Sequence, residues 1–307
     1  MLCSLFLDSI EKELVQLQKQ SRFRNAFILI VRLIDDYLFI TDSIDFAHSL
    51  IEKWTLDVLP RKHGLFLNTL KSFVTFENSF GVSFQKQLEF LPWCGYLVNV
   101  KTLEIQGDYS RYKDNAVLNS FRVEYGSKCG FKLKNRLQFF LAPKVNAVLI
   151  DSRINSKPTI LLNIFQVFLL AIVKLIAYDR ELFLRNKFQT NPKFLFECLD
   201  LLIKEFWKLA HRRIASKKDS VQICGLAFNF VEVQTLAAVA FLRVTCRMHW
   251  VKNQLKAMVD DKILGKKPQC FVLLQNDLQN AISEEKSLVF TEIIDQIYSI
   301  RSCSFQT

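Results

Sequence analysis

Two adjacent carboxylates, Asp35 and Asp36, stand between β-favouring apolar runs in Val31-Arg32-Leu33-Ile34-Asp35-Asp36-Tyr37-Leu38-Phe39-Ile40. Short stretches rich in Ile, Val, Phe and Tyr read as strands, and a polar pair at their junction fits a tight hairpin turn. Held together there, the two negative groups repel each other unless a cation sits beside them. Hard oxygen ligands at that spacing suit Mg²⁺ in phosphoryl transfer. An isolated Asp-Asp is ordinarily a solvated turn, and the chain carries its own control: Asp260-Asp261 lies among Lys256, Lys262, Lys266 and Lys267 in a polar, helix-like stretch and reads as plain surface.

The elements around the pair are of mixed type. Ser9 to Gln20 has helical spacing, with Ile10, Leu14 and Leu17 on one face. It runs into the basic turn Arg22-Phe23-Arg24-Asn25, then the hairpin, a helix from Phe46 to Leu59, and strands around Phe73 and Tyr96. This part is α+β in class. From Asp108 onward long amphipathic segments dominate: Leu118 to Tyr125, Leu133 to Phe140, Lys144 to Asp151, Pro158 to Phe183, Pro192 to Lys208, Val231 to Val259 and Ser283 to Ile300. A boundary near residue 107 therefore divides an α+β region, 1–107, from an all-helical one, 108–307. Lys157-Pro158 and Asn191-Pro192 have the form of helix starts, with proline in the first turn.

With 307 residues, half of them apolar, the chain can fill one large core or two ordinary ones. Its net charge of +11 favours a polyanionic partner, most simply nucleic acid, although acidic lipid satisfies the same arithmetic. The eight cysteines show no Cys-x-x-Cys and no nearby His pair at zinc-ligand spacing, so they read as reduced, mostly buried thiols of an intracellular protein. His48, His63, His211 and His249 show no ligand spacing either. No Gly-rich phosphate loop, internal repeat or low-complexity tract is present. Met1 to Asp8 is apolar but lacks a basic lead, which argues against a signal peptide. Ile160 to Tyr178 is apolar enough to invite a membrane reading, yet it contains Asn163, Gln166 and Lys174 and is flanked by Pro158 and Asp179-Arg180. A buried helix, with no membrane partner, is the expectation.

Downstream of the carboxylates come His63-Gly64-Leu65-Phe66-Leu67-Asn68-Thr69-Leu70-Lys71-Ser72-Phe73-Val74-Thr75-Phe76 and then Phe90-Leu91-Pro92-Trp93-Cys94-Gly95-Tyr96-Leu97-Val98-Asn99-Val100-Lys101-Thr102-Leu103-Glu104. In this order and spacing the three segments resemble the last three palm motifs of reverse transcriptases. The wording of the third looks like that of the telomerase catalytic subunits in particular. The resemblance continues through Asp108-Tyr109-Ser110-Arg111-Tyr112 and, more diffusely, Gly130-Phe131-Lys132 and Asn191-Pro192-Lys193-Phe194-Leu195-Phe196.

The resemblance implies a fold and a set of roles. The fold would be a partial palm of antiparallel hairpins with flanking helices, followed by an all-α thumb, the C-terminal extension. Asp35 would be a direct metal ligand and Asp36 its neighbour at a two-Mg²⁺ site that activates a primer 3′-hydroxyl and stabilises the pyrophosphate leaving group. Lys71 would approach the triphosphate and protonate the departing pyrophosphate. Trp93, Cys94, Gly95 and Tyr96 would form a primer grip, with Gly95 admitting close backbone approach and Trp93 packed beneath. In the helical half, Lys128, Lys132, Lys134 and Arg136 bracket Gly130-Phe131 and would grip phosphates of an RNA–DNA duplex. Two further basic groups, Arg212, Arg213, Lys217 and Lys218, and Arg243 with Arg247, read as solvated faces or secondary contacts.

By resemblance the partners are telomerase RNA, telomeric single-stranded DNA and its RNA–DNA hybrid, and deoxynucleoside triphosphates, in a nuclear ribonucleoprotein at the telomeric region of the chromosome. A two-metal polymerase of this kind needs a further carboxylate from an upstream strand, with fingers and an RNA-binding domain before it. None of these is in the sequence, and Asp8, on a helix, does not replace the ligand. The expectation is a C-terminal segment that works with the N-terminal domains of the same polypeptide and is inactive alone. A retroelement reverse transcriptase and a non-catalytic nucleic-acid clamp are the alternatives.

Overall fold

The runs flanking Asp35-Asp36 form a hairpin because their β-branched and aromatic side chains pack on one face of a pleated ribbon. In the computed structural model, β1 (Ile28–Leu33) and β2 (Asp36–Thr41) are antiparallel, with Leu33 opposite Asp36. The residues described are 8, 10–13, 15–17, 19–55, 61–64, 66–76, 85–86, 89–113, 129–186, 191–215, 226–248, 252–261 and 290–295. They fall into two compact units, Met1–Leu103 and Glu104–Thr307.

In the first unit, α1 (Ile44–Lys53) starts where the Ser43 side chain accepts from the Phe46 amide, and it carries Asp45 in its first turn and Lys53 in its last. Its inner face buries Phe46 and Leu50, which join Ile10, Leu17, Phe23 and Trp54 in the core of the unit. Ile28 and Ile30 from β1, and Tyr37 and Phe39 from β2, pack against that core. Tyr37 and Phe39 each meet Trp54 edge to face, at 5.0 and 5.1 Å between ring centroids. Because side chains alternate along a strand, anchoring Tyr37 and Phe39 inward places Asp36 on the opposite face. The expected helix after Gln20's upstream stretch is present: residues 10–13 and 15–17 are helical, and Ile10 and Leu17 are its buried positions.

Further on, the short strand β3 (Phe73–Val74) pairs with β4 (Gln85–Lys86), and this pairing is parallel rather than the antiparallel hairpin expected throughout the region. A second antiparallel hairpin follows, β5 (Phe90–Trp93) and β6 (Tyr96–Asn99), closed by Cys94-Gly95. Its turn has φ of 50° at Cys94 and 82° at Gly95, the two left-handed residues of a type I′ turn.

The second unit is helical apart from β7 (Ile105–Gly107). Its helices are α2 (Cys129–Leu141), α3 (Ala147–Ile150), α4 (Lys157–Asn186), α5 (Pro192–Ala215), α6 (Phe230–Thr245) and α7 (Lys252–Val259), with residues 290–295 also helical. α4 is the centre, packed against α2, α3, α5 and most extensively α6. Its stretch Lys157–Glu181 is long and apolar enough to cross a membrane, and 94% of its most apolar part is buried inside the fold, where neighbouring helices take up the apolar surface.

Among the expected helices, two in the second unit are shortened or broken by local hydrogen bonds. The one read from Lys144 to Asp151 is a single turn, because Asn146 caps it late through the Val148 amide and the Asp151 carboxylate turns back to accept from the Arg153 amide. The one read from Val231 to Val259 breaks after Thr245, where the buried Met248 donates its amide to the Thr245 carbonyl and accepts from the Lys252 amide. The segments read at Leu118 to Tyr125 and over most of Ser283 to Ile300 lie outside the described residues.

Candidate active site

Register places the turn of the first hairpin at Ile34-Asp35, with Asp36 as the first residue of β2. Ile34 has φ of 61°, a left-handed conformation that a β-branched residue resists, and its side chain is 71% exposed. Nothing apolar rewards that exposure, so the turn is strained and is held from outside. Arg32 supplies the hold: its guanidinium donates to the Ile34 carbonyl at 2.8 Å while its Nε pairs with Glu11. Tyr37 donates its hydroxyl to the same Glu11 at 3.2 Å. Arg32 and Glu11 escaped the sequence reading, since Arg32 looked like one polar residue inside an apolar run; an Arg two residues before a strained turn is the signal that marks it.

Both carboxylates are exposed. Asp36 Oδ2 accepts a hydrogen bond from Cys94 Sγ at 3.6 Å, which brings the turn of the second hairpin onto the first. The Asp35 carboxylate accepts no hydrogen bond from a described residue. Burial, then the charge and hydrogen bond of Asp36 and the charge of Asp35, push the Cys94 thiol up to about 11. At neutral pH it is therefore a protonated donor and not a thiolate. Gly95 is exposed, and a side chain built on it would meet nothing within 4 Å, so glycine is required there by its backbone angle, and open space lies above it. Trp93 is half-buried, with its indole Nε1 buried and lacking a described partner, and Tyr96 stands opposite it in the ladder.

Lys71 ends a 3₁₀ turn, Thr69–Lys71, just before β3. Asn68 caps that turn by accepting from the Leu70 amide at 3.2 Å, and Ser72 closes it by donating to the Asn68 carbonyl at 2.9 Å. The lysine is exposed and its ammonium forms no ion pair with a described residue. Asp35 and Asp36 offer the hard oxygens that Mg²⁺ takes. Among the described residues no group of three His, Cys, Asp or Glu side chains converges as a metal site. The donor set thus suits Mg²⁺ by kind and covers part of its octahedron. Asp8 is occupied with Lys12 one helical turn away, at 3.0 Å.

In the second unit the basic group around Gly130 is divided. Lys134 pairs with Glu197 at 3.0 Å and lies 5.3 Å from the centre of the Phe194 ring. A side chain on Gly130 would meet that same ring at 3.1 Å, so the two diffuse motifs, around Gly130 and around Phe194, are packing partners of α2 and α5. Lys132 and Arg136 are part-exposed on α2, Phe131 is exposed, and Lys128 lies outside the described residues. Arg213 donates to the Ala142 carbonyl at 3.0 Å, and Arg247 pairs with Asp295, so both serve the packing of their unit. Lys217 and Lys218 lie outside the described residues.

Glu104 caps α4: its carboxylate accepts from the Ser156 amide at 2.7 Å and from the Thr159 hydroxyl at 2.9 Å. Buried Asn163 donates to the Ile105 and Leu149 carbonyls and accepts from the Gly107 amide, stitching β7 to α4. Gly107 has to be glycine, because a Cβ there would lie 2.7 Å from the Tyr109 ring.

The fold is similar to that of a solved structure. The structure of telomerase from Candida albicans in complex with a TWJ fragment of telomeric RNA matches with a TM-score of 0.50 and 16% identity, over 84% of this chain and 33% of that one. Residues 131–259 match the family "Telomerase reverse transcriptase, C-terminal extension". The telomerase reverse transcriptase of Arabidopsis thaliana is 33% identical over 199 residues, covering 60% of this chain and 17% of the relative. That of Oryza sativa subsp. japonica is 28% identical over 244 residues, 72% of this chain and 18% of the relative. That of Canis lupus familiaris is 27% identical over 205 residues, 65% and 18% respectively. The chain is thus similar to telomerase reverse transcriptases and, over residues 131–259, to their C-terminal extension. It spans under a fifth of the length of these relatives.

Proposed function

We propose that the chain contributes the carboxylate hairpin, primer grip and thumb of an RNA-templated polymerase that adds deoxynucleotides to telomeric DNA 3′ ends. The observation that supports this reading is the hydrogen bond between Cys94 and Asp36, residues 58 apart, because it joins the turn read as a primer grip to a carboxylate read as a metal ligand. Asp35, with no hydrogen bond from a described residue, and Asp36 would hold Mg²⁺, which when bound activates the primer hydroxyl and neutralises charge on the triphosphate. Lys71, exposed and without an ion pair to a described residue, approaches the triphosphate and gives a proton to the leaving pyrophosphate. The Cys94-Gly95 turn, with open space above Gly95, receives the primer backbone near its end, supported by Trp93 and Tyr96.

Lys132, Lys134 and Arg136, with Lys128, grip phosphates of the RNA–DNA duplex. The partners of the reading are telomerase RNA, telomeric DNA, deoxynucleoside triphosphates and the N-terminal domains of the polypeptide, in the nucleus at telomeres. The test is primer extension by the enzyme reconstituted with those domains and RNA. Asp35→Ala abolishes extension while RNA binding persists, and the control Asp260→Ala extends normally. Normal extension by Asp35→Ala sinks the reading and leaves a non-catalytic clamp. Residues 1–307 alone bind nucleic acid in a salt-sensitive way and incorporate no nucleotide, since two-metal transfer needs more carboxylate oxygen than one hairpin provides; templated incorporation by them refutes that part.

A further inference from the structure

We infer that Cys94 is a positioning residue: its thiol orients the Asp36 carboxylate, so that the primer-receiving turn and the carboxylate pair are mechanically one unit. The inference rests on the polymerase reading above. Asp36 is exposed at the very start of β2, on the face away from the Trp54 contacts that anchor Tyr37 and Phe39. A carboxylate in such a place has several rotamers open to it. Among the described residues one hydrogen bond selects between them, and Cys94 donates it. With the thiol on Oδ2, Oδ1 is the less encumbered oxygen for a cation, whereas neither oxygen of Asp35 accepts a hydrogen bond from a described residue.

The backbone at Cys94 gives a second, separate observation. Its φ of 50° puts a residue with a Cβ into the left-handed region, where Gly, Asn or Asp is the usual occupant of a type I′ turn. A side chain held at a strained position marks that side chain as the reason for the strain. The chemistry of the donor fits the task. A Lys or Arg would neutralise Asp36 and compete with Mg²⁺ for it, while a thiol is a weak, uncharged donor that orients the carboxylate and leaves its charge in place. Any shift of the second hairpin, as when a primer end presses on Gly95, is then transmitted to Asp36 through Cys94.

The test uses the reconstituted full enzyme and two kinds of variant that the turn accepts. Cys94→Gly removes the donor and relaxes the backbone, so folding is preserved. Cys94→Asn also tolerates the left-handed angle and restores an N–H donor. Cys94→Gly is expected to raise severalfold the Mg²⁺ concentration for half-maximal extension and to lower kcat, with primer KM little changed, and to weaken by a similar factor the binding of Mn²⁺ to the enzyme measured by electron paramagnetic resonance without primer or triphosphate; Cys94→Asn returns both toward the parent. A raised primer KM with unchanged Mg²⁺ dependence in Cys94→Gly overturns the inference and makes Cys94 a primer contact only. The reading beneath it fails separately, if Asp36→Asn extends primers at the parent rate.

Discussion

Arg32 reaches forward two residues to hold the Ile34 carbonyl at 2.8 Å, and in doing so it pins the turn that carries Asp35. The same guanidinium pairs with Glu11 from the N-terminal helix, so the geometry of the carboxylates depends on a residue far away in sequence. Arg32→Ala is expected to destabilise the chain by about 1–2 kcal/mol, the size of a part-buried charged hydrogen-bond set. Arg32→Lys recovers little of it, because an ammonium cannot serve both partners in the planar geometry of the fork. Urea unfolding of the three proteins decides this.

Ile34 offers the opposite sign. An Ile at φ 61° stores left-handed strain of about 1–2 kcal/mol, and its exposed side chain buries nothing in return. Ile34→Gly therefore raises the urea midpoint by an amount equivalent to about 1 kcal/mol, part of the relief being offset by the entropy of glycine in the unfolded chain. An unchanged or lower midpoint would show that the turn relaxes in solution.

Asn163 is 1% exposed, with its amide group divided between three backbone partners. Asn163→Ala leaves the Ile105 and Leu149 carbonyls and the Gly107 amide short of partners in a dry interior, at a cost of about 2–4 kcal/mol. Asn163→Asp is worse near neutral pH, where a carboxylate would face two carbonyl oxygens. Its deficit shrinks as acid protonates it. Circular dichroism melts of the two variants at acid and neutral pH test the ordering.

Burial pushes the Cys198 thiol up to about 12 from an ordinary 9.0. The folded state therefore holds this proton more tightly than the unfolded one. The stability linked to it is fully present below about pH 9 and is lost as pH rises toward about 12. Subtracting the alkaline stability profile of Cys198→Ala from that of the parent isolates this loss. At pH 8, iodoacetamide followed by peptide mapping should label exposed Cys246 within minutes and Cys198 only at the rate of global unfolding.

Lys132 and Lys134 should both count in duplex binding. Lys132→Ala and Lys134→Ala each lower the slope of log K against log salt by up to about one counterion, and the Glu197 carboxylate beside Lys134 reduces the share of Lys134. The exposed Lys134–Glu197 pair itself is worth about 0.2–1 kcal/mol of stability. Filter binding between low and physiological salt gives both slopes.

Much of this protein follows from local rules. The β-branched runs around Asp35-Asp36, the proline-led starts of α4 and α5, and the apolar periodicity of the second unit are read directly from residue types, because propensity, capping and periodicity act over a few residues. The same rules place Asp35 and Asp36 at a hairpin. What tertiary structure alone decided is which of these meet. The thiol of Cys94 on Asp36, the Arg32–Glu11 hold on a strained Ile34, the capping of α4 by Glu104 and the pairing of Lys134 with Glu197 each join side chains that no short window contains. They also turn on rotamer and register, where a one-residue slip moves every side chain to the other face. A linear sequence sets the types of group available; packing of Trp54, Tyr37 and Phe39 chooses the face on which the carboxylates stand.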